Sequence, residues 1–175
     1  MYRPITSLLT ALSRLLALIG GALLLVVTIL VVVSVGGRAL IWAGLGPVPG
    51  DFELVEAATA LAVFCFLPWC QMERGHVSVD VFADMLGSRV DAVLQIAFNI
   101  LMTAAAAFIL WRLWAGMQDK MQYNETTFIL QFPVWWGYAA CVPVAAVFVL
   151  VCAWTVVRSA TETRAAFSRP GIERR

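Results

Sequence analysis

Four long stretches without a charged residue restrict this chain more than any other feature. Counted between the flanking charges, they are 23, 16, 20 and 32 residues long, and they run from Arg14 to Arg38, Glu56 to Glu73, Asp91 to Arg112 and Glu125 to Arg158. A helix needs about 20 apolar residues to cross the hydrocarbon layer, whereas a membrane strand shows short alternating segments. Because the runs are continuous, they predict four transmembrane helices, over about 15–37, 54–72, 91–111 and 134–157.

The composition places the chain in the same class. Hydrophobic residues make up 62% and charged residues 13% of the sequence, while a soluble domain has about half apolar and a quarter charged residues. With only 175 residues, there is room for no further domain. We therefore expect an all-α membrane protein with a single membrane domain over residues 1–175, of which 158–175 form a basic cytoplasmic tail.

The segment before the first span is amphipathic. In "ITSLLTALSRLLALI" one face of a helix carries only apolar residues, namely Ile5, Leu8, Leu9, Leu12, Leu15 and Leu16. This pattern predicts a helix that lies in the membrane interface; the alternative is a longer first helix. Because "VSVGGRAL" is not a convincing cleavage site, the first span is expected to stay in the mature protein.

The distribution of Lys and Arg predicts the orientation. The N-terminus, the second loop and the C-terminal tail carry nine basic residues: Arg3, Arg14, Arg74, Arg89, Arg158, Arg164, Arg169, Arg174 and Arg175. The first and third loops carry three, Arg38, Arg112 and Lys120. Cytoplasmic loops are the more basic ones, so both termini are predicted to be cytoplasmic.

The residue types argue against catalysis, a cofactor and a metal. His76, the only histidine, lies in the polar stretch "ERGHVSVDVF", and a zinc site needs three or four ligands. The same single histidine cannot supply the axial ligands of a membrane haem. All four cysteines fall within the second and fourth spans, where cysteine is a small packing residue; they are Cys65, Cys70, Cys141 and Cys152. Nothing indicates a nucleic-acid partner.

The middle of each span contains no charged residue. Ion and substrate pathways usually place such residues deep in the bilayer, and transporters often contain paired broken helices, whereas here Pro143 alone interrupts the fourth span. The chain is therefore not expected to carry a coupled substrate by itself. Two interpretations stay open, a non-catalytic subunit of a transporter and a stand-alone channel-like or regulatory protein.

The spans do carry residues suited to helix association. Small residues at four-residue spacing let helices approach closely, and side-chain amides seek hydrogen-bond partners in lipid. The candidates for contact with a partner are Gln95, Asn99 and Thr103 on the third span and Gly137, Cys141 and Ala145 on the fourth. The alternative is that the polar stripe is satisfied within the chain.

Three motifs occur in a familiar order. Two acids precede an alanine-rich second span, "ERGHVSVDVF" follows it, and "TTFILQFPVWWGYAACVP" leads into the fourth span. The chain resembles the DctQ-type small membrane subunit of tripartite ATP-independent periplasmic (TRAP) transporters. The positions that carry this resemblance are Glu53, Glu56, Arg74, Gly75, His76, Val79, Asp80, Pro133, Trp135, Tyr138 and Pro143.

The resemblance implies a role as well as a fold. In that family the small subunit binds a large multi-span permease subunit in the bacterial inner membrane, and a periplasmic substrate-binding protein delivers an organic acid. An ion gradient drives uptake. The small subunit is a scaffold, which implies a non-enzymatic chain whose partners are those two proteins and the lipid bilayer.

Two local roles can be predicted for the polar residues. His76 and Asp80 would hold the turn before a short cytoplasmic interfacial helix that places Val79 and Phe82 towards the lipid headgroups. Near the first loop, Glu53 or Glu56 would pair with Arg38 or with a basic residue of a partner. Exposed ion pairs contribute only about 0–1 kcal/mol, so replacing Glu56 by Gln should have a mild effect unless the site is desolvated.

Overall fold

The computed structural model describes the backbone of residues 3–73 and 88–167 and the side chains of residues 5–73 and 94–161, and this part of the chain contains four α-helices. The helices are α1 (Arg3–Ala39), α2 (Asp51–Met72), α3 (Ser88–Gln122) and α4 (Trp135–Phe167). All four are long and apolar enough to cross a membrane. The all-helical, four-span architecture predicted from the uncharged runs is confirmed.

Each predicted span corresponds to one helix, but the helices extend beyond the hydrophobic runs. The largest difference is in α1, which continues without a break from Arg3 to Ala39. The amphipathic segment is therefore the beginning of a longer first helix, which was the alternative, and its place in the membrane interface stays a prediction. The predicted helix after the second span and the C-terminal tail beyond residue 167 lie outside the described residues.

The helices alternate in direction, so the bundle has two different ends. The first loop (residues 40–50) and the third loop (residues 123–134) meet at one end, which we call the loop end. The first loop contains a short 3₁₀ turn, Ile41–Ala43. The third loop is a small hairpin in which Thr126 pairs with Pro133. The opposite end, where α1 begins and α4 ends, is called the termini end.

The helices are arranged in the order α1, α2, α4, α3. Helix α1 packs on α2, α2 packs on α4, and the described backbone of α3 approaches α4 but neither α1 nor α2. Accordingly, 39% of the most apolar window of α4 is buried, against 6% in each of α1 and α3. Helix α4 is thus the central element, and most of the apolar surface of α1 and α3 faces outwards.

One stripe of α4 forms the contact with its neighbours. The residues of this stripe recur alternately every four and three positions, which is the spacing of helices that pack side by side; they are Cys141, Ala145, Phe148, Cys152, Thr155 and Ser159, and Val151 beside the stripe is also buried. Phe148 and Cys152 pack with Ala106 of α3 in the apolar core. The stripe begins with small residues and ends with hydroxyl groups, so the loop end is closely packed through small side chains and the termini end through hydrogen bonds.

Candidate functional site

An ion pair at the loop end joins α1 to α2. The carboxylate of Asp51, the first residue of α2, accepts hydrogen bonds from Arg38 Nη2 and Ser34 Oγ, both on α1. Ser34 is buried and also accepts the backbone N–H of Val48 at 3.3 Å. These contacts fix the first loop to both helices.

The partner of Arg38 differs from the sequence prediction. Glu53 and Glu56 were the candidates, yet Asp51 forms the ion pair. Consecutive residues of a helix point about 100° apart, so the rotation of α2 decides which acid faces α1. The guanidinium group of Arg38 also lies 5.4 Å from the centre of the Phe52 ring.

Glu53 instead binds the third loop. Its carboxylate oxygens accept the backbone N–H groups of Ile129 and Leu130, at 2.6 and 3.0 Å. The side chain of Leu130 also covers Gly50, where a Cβ atom would lie 2.4 Å from Leu130 Cγ. Gly50 adopts a positive φ of 73°, a conformation that favours glycine. The start of α2 therefore holds the tip of the hairpin in one position.

The hairpin tip and its surroundings are strongly apolar and aromatic. Phe128 is 90% exposed next to the two residues that Glu53 binds. Tryptophan side chains are exposed on the elements around it, namely Trp42, Trp111, Trp114 and Trp136. Exposed tryptophans are typical of the level of the lipid headgroups, so the loop end has the character of a membrane boundary.

A cleft of about 590 Å³ opens at the loop end between α2, α3, α4 and the third loop. Small residues of α2 and α4 line it, with larger apolar side chains around them, and its lining includes Ala57, Ala60, Phe64, Leu113, Phe132, Gly137 and Cys141. Both predicted acids, Glu53 and Glu56, also belong to the lining. The cleft thus combines an apolar surface with carboxylates.

Tyr138 closes the cleft on the side of α3. Its ring lies on Gly116, where a Cβ atom would come within 2.9 Å of Tyr138 Cε1. Near it, Lys120 at the end of α3 forms an ion pair with Glu125 of the third loop, with Nζ and Oε2 2.6 Å apart. A glycine and an ion pair therefore set the position of the third loop relative to α3.

A network of polar side chains connects three helices at the termini end. Gln71 Nε2 of α2 donates to Asn99 Oδ1 of α3 at 3.3 Å and to Thr155 Oγ1 of α4 at 2.9 Å. Asn99 Nδ2 donates to Ser159 Oγ at 2.8 Å. Such bonds in a membrane contribute about 0.6–2 kcal/mol each. The network links α2 to α3 although their backbones do not approach each other.

The candidates for partner contact occupy different positions. Asn99 makes its hydrogen bonds within the chain, and Thr103 Oγ1 donates to the Asn99 carbonyl oxygen. Cys141 and Ala145 are only 4% and 1% exposed, because α4 packs through them onto its own neighbours rather than presenting them to a partner. Gln95 is half-buried, and Gly137 lines the cleft.

The remaining motif residues are divided between the loop end and the part of the chain that is not described. Pro133 pairs with Thr126 in the hairpin, Trp135 begins α4 and Pro143 lies within it. The rest of the motif, Arg74, Gly75, His76, Val79 and Asp80, lies outside the described residues. Asp51 and the Gln71–Thr155 contact were missed in the sequence analysis; a glutamine within a predicted span was the signal available for the latter.

Comparison with known proteins identifies the family. The family model of the DctQ component of tripartite ATP-independent periplasmic transporters matches residues 27–162. This range covers most of the chain, including the loop end and the polar network. Searches of curated proteins and of solved structures gave no significant match. The chain belongs to the DctQ family and is the small permease component of a TRAP transporter.

Proposed function

We propose that this chain is the non-catalytic small subunit of an ion-gradient-driven, sodium-coupled TRAP transporter for organic acids in the bacterial inner membrane. It scaffolds the large multi-span permease subunit and helps to dock the periplasmic substrate-binding protein. Family membership is the observation that carries the proposal, and it favours a transporter subunit over a stand-alone channel-like protein.

The helix arrangement supports a scaffold. Helices α1 and α3 bury little of their surface within the chain, so each leaves a long apolar face available to a neighbouring membrane subunit. The central helix is connected on both sides, by close packing at the loop end and by hydrogen bonds at the termini end. A rigid row of this kind can hold a moving subunit in place.

The positions of the polar groups argue against a transport pathway within this chain. The spans contain no charged residue at mid-depth, where transported ions and acids need partners. The amide and hydroxyl groups of Gln71, Asn99 and Thr155, at the termini end, bond with one another. The substrate and ion sites are therefore assigned to the large subunit.

The loop end supports contact with a soluble partner. If the basic residues mark the cytoplasmic side, this end faces the periplasm. Its hairpin is held by Glu53 and exposes Phe128 at the tip. A binding protein that approaches the membrane would meet a fixed surface there.

Purification in a mild detergent tests the proposal. A tagged chain expressed with its genomic neighbours is expected to copurify with one much larger multi-span membrane protein in a fixed ratio. A tagged four-span protein of unrelated family serves as the control. If the chain is recovered only as a homo-oligomer, the scaffold function is contradicted.

A further inference from the structure

The lining of the cleft changes from polar at the loop end to apolar further along α2. Glu56, Ala57, Ala60 and Phe64 line it from the loop end inwards. The distance along the helix axis from Glu56 to Phe64 is about 12 Å, at ~1.5 Å per residue. The cleft therefore begins at a carboxylate and continues as an apolar trough towards the middle of the membrane.

The two acids of the cleft differ in their partners. The carboxylate of Glu53 accepts hydrogen bonds from the backbone N–H groups of Ile129 and Leu130. The carboxylate of Glu56 has no hydrogen-bond or ion-pair partner among the described side chains. Two cations of the loop end, Arg38 and Lys120, are paired with Asp51 and Glu125. A carboxyl group without a partner among the described residues thus lies at the mouth of an apolar trough.

We propose that this cleft binds a phospholipid with a primary ammonium headgroup, phosphatidylethanolamine. The ammonium group donates to the Glu56 carboxylate, and an acyl chain lies in the trough formed by Ala57, Ala60 and Phe64. The exposed tryptophans around the cleft place its mouth at the headgroup level. Its volume of about 590 Å³ lies within the ~300–1,000 Å³ typical of sites for single small ligands.

Charge and shape together favour this occupant over a partner helix. A polar headgroup followed by a hydrocarbon chain has the same order of polarity, from the surface inwards, as the cleft. Small side chains on both walls, Ala57 and Ala60 on α2 and Gly137 on α4, leave room for a chain that runs parallel to the helices. A cationic side chain of a partner would pair with Glu56 but would not fill the deeper, apolar part of the trough.

Lipid competition on the purified full-length chain tests this inference. The chain is incubated in micelles with equal amounts of phosphatidylethanolamine and phosphatidylglycerol that carry identical acyl chains, and bound lipids are counted by native mass spectrometry. We expect about fivefold more bound phosphatidylethanolamine than phosphatidylglycerol. This ratio corresponds to the upper end of the binding free energy of a partly exposed ion pair. Glu56→Gln should abolish the preference, whereas Asp119→Asn, an exposed acid outside the cleft, should retain it.

A second pair of variants tests the trough without changing the charge. Ala60→Phe fills the cleft and should reduce the number of bound lipids, whereas Thr59→Phe, at the neighbouring exposed position outside the lining, should not. Equal binding of the two lipids by the wild-type chain, or a preference that survives Glu56→Gln, overturns the inference and leaves the cleft to a protein segment. Since these experiments use the isolated chain, their failure does not bear on the scaffold function.

Discussion

Replacing Gly37 by alanine is expected to destabilise the chain severely. A Cβ atom at Gly37 would lie 2.1 Å from the carbonyl oxygen and 2.9 Å from the carbonyl carbon of Gly46. Both contacts are with the backbone, so no side-chain rotation can relieve them. Inserting atoms into a closely packed site costs about 1–3 kcal/mol, and a backbone clash lies at the upper end of that range.

The clash affects the contacts that join α1 to α2. Gly37 directly precedes Arg38, and Gly46 lies two residues before Val48, whose N–H group binds Ser34. Displacing the first loop would therefore also disturb the ion pair between Arg38 and Asp51. The loss should appear as a lower unfolding temperature in detergent and as aggregation in size-exclusion chromatography.

Gly36 provides the matched control for this experiment. It is the preceding residue of the same helix, and a Cβ atom there would meet no heavy atom within 4 Å. Gly36→Ala should leave the unfolding temperature unchanged or raise it slightly, since alanine favours the helix by about 1 kcal/mol over glycine. Equal unfolding temperatures for Gly37→Ala and the wild-type chain would show that the described packing of the first loop is wrong.

Replacing Gly20 by leucine is expected to separate α1 from α2. A Cβ atom at Gly20 would lie 3.0 Å from Cys65 Cβ, 3.1 Å from the Ala62 carbonyl oxygen and 3.2 Å from Phe66 Cζ. The remaining atoms of leucine would have to enter the same interface. Small residues allow helix backbones to approach in lipid, so a branched side chain here removes a close contact between the two helices.

The comparison with Gly21→Leu makes the test specific. At Gly21 a Cβ atom would meet nothing within 4 Å, although the change in hydrophobicity and helix propensity is the same. Unfolding of both variants can be followed in detergent by intrinsic tryptophan fluorescence. We expect a clear loss of stability for Gly20→Leu alone; a similar loss in both variants would contradict the assigned face of α1.

The helices could be predicted from the sequence because a single physical property determines them. Uncharged runs of about 20 residues have few stable alternatives to a membrane helix, and the four predicted helices are confirmed. The exact ends were less predictable. Both α1 and α3 continue past Arg14 and Arg112, because a charged residue ends the hydrophobic run without ending the helix.

The contacts of individual side chains could be predicted only in part. Spacing identified Cys141 and Ala145 as packing residues, but not that their neighbours belong to the same chain. Glu53 was singled out by the family resemblance, yet its partners are backbone N–H groups of Ile129 and Leu130, which no sequence pattern marks. Asp51 is the acid that pairs with Arg38 because of the rotation of α2 about its axis. The positions of the acids in the sequence do not determine that rotation.

The central claim is that this chain supports transport without performing it. Uptake into proteoliposomes tests it most directly, with the chain reconstituted alone, with its large permease subunit, and with that subunit and the binding protein together under an imposed sodium gradient. We expect accumulation of the organic acid only when all three proteins are present. Gradient-driven accumulation by liposomes that contain this chain alone would contradict the claim.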